Sequence, residues 1–217
     1  MLFVLRELYK GKDFVVASIC FLVAFLLTTT IHEFAHAYVA TKQGDETPRQ
    51  TGRLTLNPFA HIDPVGFLCS MFFFFGWAKP VRINPNKFKN PRRGMAWVSC
   101  AGVIANFITA FLSCGIYFAI YKFVGVYNDF TAILTNFFYI MFLINISLAV
   151  FNFLPFAPLD GFNFIDSLTK PDNKFINFMR NYGYLILIIL LLLFSDFLSI
   201  LINWISYPIF MFWGWIF

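Results

Sequence analysis

Long uncharged stretches alternate along this chain with short loops that hold most of its charge. Phe14 to Ile31 carries no charged residue, and the helical pattern runs on through Ala40. Gly94 to Tyr121 and Phe130 to Leu159 are uncharged in the same way, and the second of these ends in Pro155, Pro158 and Gly161. A helix crosses a bilayer with ~20 apolar residues, so each stretch is a predicted span. Val65 to Ala78 is uncharged but too short to cross, with Gly66 and Gly76 near its ends, and reads as a membrane-dipping hairpin. The tail, Asn181 to Phe217, carries a single charge, Asp196. It reads as one span plus an interfacial piece or as a tight hairpin turning at Asp196. Pro208 and the Trp213/Trp215 pair favour an interfacial finish. The pattern predicts an all-α polytopic membrane protein of about four to five transmembrane helices, with a short membrane-dipping hairpin after the first. It forms one domain over residues 1–217. Asn84 to Arg93 is a loop too short to link a second domain.

Composition excludes the soluble alternatives. The chain has 217 residues, 59% of them hydrophobic and 12% charged, against about 45–50% and ~25% in soluble domains. A soluble domain of this length leaves roughly a third of its surface exposed and could not hide so much apolar area. The net charge of +5 implies topology signals rather than nucleic-acid binding, because the basic residues sit in short loops. Nine of them fall between Lys42 and Arg93, Lys170, Lys174 and Arg180 flank the third and fourth spans, and Lys122 is nearly alone between the second and third. The first two regions are therefore expected in the cytoplasm of a multi-pass cell (inner) membrane protein. The N-terminus would face outward despite Arg6, Lys10 and Lys12, or lie along the surface as an amphipathic piece. The first apolar run is too long for a signal peptide and has no small-x-small cleavage site before the polar loop, so a retained span is expected. Cys20, Cys69, Cys100 and Cys114 lie in apolar stretches without a Cys-x-x-Cys pair, as reduced thiols would.

Candidate chemistry concentrates at the end of the first span, in His32-Glu33-Phe34-Ala35-His36. Helical residues four apart share a face, one turn apart in height. His32 and His36 can therefore ligate one metal, with Glu33 beside them to orient and deprotonate its water, the HExxH arrangement of zinc hydrolases. The bland alternative is an incidental polar patch. The chain has only three His, and ionisable groups within spans are costly, which makes a chance match improbable. Two imidazoles, one carboxylate and one open position form a common catalytic zinc set, and zinc brings its water to a pKa of about 7. The third ligand is sought in Asn152-Phe153-Leu154-Pro155-Phe156-Ala157-Pro158-Leu159-Asp160-Gly161, where Asp160 leads. A helix cap at Asp160 is the competing reading and could coexist with ligation. His61, in a turn-rich loop, is the rival ligand or a group supporting a ligand.

Together HEFAHAYVA (32–40), GRLTLNPFAHIDPVG (52–66), GWAKPV (76–81), AGVIANF (101–107) and NFLPFAPLDG (152–161) resemble the site-2 protease family of intramembrane zinc metalloproteases. The likeness is to its compact bacterial branch without a PDZ or CBS domain. The resemblance implies one Zn2+ per chain bound by His32, His36 and Asp160, Glu33 as general acid/base, and Asn152 in contact with substrate or the oxyanion. It also implies a membrane-dipping element beside the site. Two departures bear on substrate handling: Ala101-Gly102-Val103-Ile104-Ala105-Asn106 lacks the family's proline, and Phe162-Asn163-Phe164-Ile165-Asp166 replaces the usual basic, Gly-rich continuation.

Other polar groups take bland readings. Asn106 is expected to pack, with Ala101, Gly102 and Ala105 letting helices approach. Thr28, Thr29 and Thr30 can bond their own helix carbonyls. The function expected is hydrolysis of a peptide bond within or near a transmembrane segment of a membrane-protein substrate, on the cytoplasmic side of the bilayer. The alternative is a metal-ion transporter or metal-binding membrane protein, for which staged ionisable sites along a span would be needed. The sequence specifies no oligomeric state.

Overall fold

The computed structural model describes residues 12–73, 76–170, 173–193 and 195–217. The N-terminal charges Arg6 and Lys10, and Phe74 and Phe75 of the hairpin, lie outside these. Among the described residues five helices are long and apolar enough to cross a membrane.

Helix α1, Lys12–Gln43, has 32 residues, about 48 Å at 1.5 Å per residue, more than the ~30 Å hydrocarbon core requires. Its buried positions Ala17, Phe21, Ala24, Thr28, His32 and His36 recur every three or four residues. The two histidines thus continue an apolar packing stripe to the helix's far end. After α1 come the one-turn helix α2, Thr47–Gln50, a 3-10 turn at Pro58–Ala60, and helix α3, Pro64–Phe73. The chain then doubles back, with Ile62 and Ala78 forming an antiparallel bridge. The expected hairpin is therefore a short helix with an extended return. Its glycines explain the tightness: a Cβ on Gly66 would lie 2.2 Å from the Trp77 carbonyl oxygen, and one on Gly76 2.3 Å from that of Gly66.

Helix α4, Pro91–Ala119, starts at a favourable signal: the Asn90 side chain accepts from the Arg93 N–H and Pro91 needs no donor. It continues through a π turn, Ile120–Val124. A capping box between Asn128 and Thr131 starts α5, Asp129–Asn152. α4 is the spine, packed along α1, α5 and the short α6, Asp160–Leu168. Its small residues Gly94, Ala101, Gly102 and Ala110 are buried, and such residues allow close backbone approach where lipid offers no hydrophobic drive. Phe21, Ala24 and Phe25 of α1 interlock with Ile140, Met141 and Ile144 of α5. Thr29 and Thr30 bond their own helix, but Thr28 departs from that expectation. It accepts from Asn145 of α5 at 2.7 Å, a polar link between spans.

The tail forms two long helices, α7, Lys174–Leu193, and α8, Ser195–Ile216, each long and apolar enough to cross a membrane, as the two-helix reading expects. Pro208 stands inside α8, and neighbouring helices tolerate such a proline in a span. Trp213 packs into α4: its indole N–H donates to the Phe111 carbonyl at 2.9 Å, and its ring fills the space beside Gly115. Trp215 remains exposed. All four cysteines are free.

Asp45, fully buried just past α1, ties the loop together. Oδ2 accepts from Asn84 N–H at 2.6 Å, Oδ1 from the Thr47 N–H at 3.0 Å and hydroxyl, and Lys87 approaches to 3.8 Å. Burial acts to raise its pKa, but these bonds and Lys87 outweigh it and hold the carboxyl below its usual range. A depressed native pKa stabilises above the unfolded value of about 3.9 and is lost as pH falls through the native one. Asp45→Asn should cost roughly 1–3 kcal/mol, read as a lower unfolding temperature in detergent at neutral pH. Its deficit against wild type should shrink as the medium is acidified below about pH 4. An unchanged unfolding temperature at pH 7 would contradict this role.

Candidate metal centre

Three donors from two elements meet at the end of α1. His32 Nε2 and His36 Nε2 lie 3.0 Å apart, and each is 3.2 Å from Asp160 Oδ2. The histidines come together because they are one turn apart on one face. Asp160 arrives because the chain reverses beyond α5: Pro155 and Pro158 cannot donate to a continuing helix, and α6 restarts at Asp160. Gly161 permits the reversal, since a Cβ there would lie 2.2 Å from the Phe153 carbonyl oxygen. The N-cap is Leu159, so Asp160 is the first helical residue and its carboxylate is turned to the imidazoles. This corrects the cap reading.

The donor set fits a divalent cation. Ligands ~2.0–2.2 Å from a shared zinc are about 3.3 Å apart in a tetrahedron, close to the spacing here. Both imidazoles are buried, and Asp160 Oδ2 is buried without a hydrogen-bond partner. The floor of the site is Gly102 of α4. A Cβ there would fall 2.5 Å from His36 Nε2, 2.5 Å from His32 Cε1 and 2.6 Å from His32 Nε2, so the cradle exists only because that residue has no side chain. His36 Nδ1 lies 2.7 Å from the Val98 carbonyl, which can only accept. That contact places the proton on Nδ1 and leaves Nε2 its lone pair.

Glu33 stands beside the three donors rather than among them. Its Oε2 accepts the Val81 N–H at 2.9 Å, which anchors the carboxylate to the chain returning from α3. That return is itself held, since Lys79 N–H donates to the His61 carbonyl at 2.8 Å and Arg53 reaches the Ala60 carbonyl.

His61 is not brought into the cluster. Its Nε2 meets the Thr55 carbonyl at 2.9 Å and its ring is buried in the loop, so the rival-ligand reading is set aside. Asn152, half-buried, closes α5 and donates back to Leu148 at 3.0 Å. Asn106 corrects the packing expectation: it is fully buried, with Nδ2 3.1 Å from His32 Nδ1. Its signal in the sequence was the spacing Val98, Gly102, Asn106, one face of a helix.

Residues 20–194 match the family model described as Peptidase family M50. The chain is 37% identical over 170 residues to "Putative zinc metalloprotease YwhC" of Bacillus subtilis (strain 168), covering 77% of this chain and 78% of that protein. It is 24% identical over 190 residues to "Putative zinc metalloprotease Rip2" of Mycolicibacterium smegmatis (strain ATCC 700084 / mc(2)155), covering 84% of this chain and 70% of that one. No solved structure gives a significant match.

Gly102→Ala tests the cradle. The new methyl should displace the imidazole rings rather than the backbone, so zinc affinity should fall on the order of tenfold or more while the zinc-free protein unfolds near the wild-type temperature. Undiminished zinc affinity, measured by chelator competition, would contradict it.

Proposed function

Since the chain belongs to peptidase family M50, the site-2 protease family, we propose that this zinc-dependent metalloprotease of the membrane cuts a peptide bond within or near a transmembrane helix of a membrane-protein substrate. The convergence of His32, His36 and Asp160 within 4.8 Å, at the end of a predicted span, carries the proposal. In this reading His32, His36 and Asp160 would hold one zinc. Zinc, when bound there, supplies an acidified water and polarises the carbonyl to be attacked.

The protein's own groups supply proton handling and positioning. Glu33, one residue from His32 and fixed through Oε2 by the Val81 N–H, takes the proton from the attacking water and returns it to the leaving amine. Asn152 is assigned to the substrate backbone or to the developing oxyanion. A helical substrate must first unwind at the bond to be cut, because a helix carbonyl is already hydrogen-bonded. The whole chain acts as one catalytic domain.

The reading places the site toward the cytoplasm. If all five long helices cross, residues 44–90 and 153–173 lie on one side; the first holds six Lys and Arg, and Lys170, Lys174 and Arg180 stand at the end of the second and in the first turns of α7. Water then reaches the metal from the near surface. The transporter alternative is not carried forward, because the family is peptidolytic and the ionisable groups gather at one depth.

Glu33→Gln separates chemistry from metal binding. The variant should keep one zinc per chain and lose cleavage by about 10²–10⁴-fold. Cleavage is read by release of a cytoplasmic reporter from a panel of single-span membrane proteins co-expressed with the protease. Wild-type cleavage by a zinc-loaded Glu33→Gln protein would overturn the mechanism.

A further inference from the structure

Helix α4 meets both candidate ligands through one stripe. Val98, Gly102 and Asn106 are spaced four residues apart, a rise of about 6 Å per step. That equals the rise between His32 and His36 on α1, which packs against α4. Gly102 lies under both rings. On one side the Val98 carbonyl meets His36 Nδ1 at 2.7 Å, and on the other the Asn106 amide meets His32 Nδ1 at 3.1 Å. Asn106 is fully buried, and its Oδ1 has no hydrogen-bond partner.

The His36 contact sets the rule for the pair. An imidazole that offers Nε2 to a metal carries its proton on Nδ1 and needs an acceptor there. Val98 provides one as a backbone carbonyl. At His32 the facing group is a side-chain amide, whose oxygen and nitrogen exchange places by a half-turn. With Nδ2 toward the ring, Nδ1 would be the acceptor, the proton would sit on Nε2, and His32 could not ligate. With Oδ1 toward the ring, Nδ1–H has an acceptor and the Nε2 lone pair points at Asp160 Oδ2 and His36.

We propose that Asn106 is a positioning residue for the zinc site, its Oδ1 accepting the His32 Nδ1–H and so fixing the tautomer and ring orientation that let His32 bind metal. The assignment rests on the metalloprotease reading above. It gives α4 the role of supporting both histidines, one through backbone and one through a side chain, with a glycine between them to make room.

The test is zinc affinity, by competition with a chromophoric chelator, for purified full-length wild type, Asn106→Leu, Asn106→Ala, Asn106→Asp and Asp160→Ala. Size exclusion and thermal unfolding of the zinc-free proteins check the fold. Asn106→Leu keeps the branched shape and removes the acceptor, so its zinc dissociation constant should rise about 10–100-fold. Asn106→Ala should do the same, which keeps the test decisive if the leucine variant misfolds. Asn106→Asp, which can only accept, should stay within about threefold of wild type. In the Co2+-substituted proteins the visible ligand-field bands should match wild type for Asn106→Asp and shift for Asn106→Ala. A packing role predicts the reverse order, with the buried carboxylate as the most damaging change. Wild-type affinity in Asn106→Leu or Asn106→Ala, or an Asn106→Asp protein as weak as either, overturns the assignment. If in that case Asp160→Ala still abolishes zinc binding, the metal site itself stands. A wild-type protein that binds no zinc overturns both.

Discussion

Three electron-rich atoms cannot rest about 3 Å apart in a buried site unless a cation or shared protons hold them. The Nε2 atoms of His32 and His36 and Oδ2 of Asp160 are in that position. Burying polar groups without partners costs several kcal/mol each, more for a carboxylate. The arrangement therefore makes physical sense as a divalent-cation site, whose charge repays the desolvation of all three ligands at once. The rest of the structure is arranged around delivering those atoms to one point and keeping the space between them open.

Delivery depends on two helix ends and one spine. α1 is long enough for its last turns to stand beyond the apolar stripe that packs it on α5, so the histidines inherit the direction of that stripe. α5 stops where two prolines follow, and α6 restarts with Asp160 in its first position. α4 lies against both and contributes backbone, absence of a side chain, and an amide at successive turns. The loop between α1 and α4 completes the set. The buried Asp45 fastens its two halves, and the return from α3 brings Val81 to Glu33.

Local periodicity made much of this legible in the sequence. His32 and His36 share a face by spacing alone, and the proline-broken segment after the third uncharged stretch, expected on the same side of the membrane, made Asp160 the leading third donor 124 positions after His36. Features that depend on distant contacts were harder to read. Asn106 looked like helix glue because its ring partner is 74 residues away. His61 looked like a rival ligand because nothing local shows its Nε2 committed to Thr55. In the tail, hydropathy could not choose between one span and two. α7 begins at Lys174, before the uncharged run, where the Asn173 side chain accepts from the Phe175 N–H at 2.9 Å, and Arg180 in its second turn pairs with Asp166 at 2.8 Å. Trp213 suggested an interfacial end, whereas its indole docks on α4.

The most direct test of the central claim is zinc X-ray absorption spectroscopy on the purified, detergent-solubilised protein. The account predicts one zinc per chain, two imidazole nitrogens at about 2.0–2.1 Å, carboxylate and water oxygens at about 2.0–2.2 Å, and no sulfur scatterer. A third imidazole, a sulfur shell, or zinc that keeps the wild-type spectrum in Asp160→Ala would contradict it.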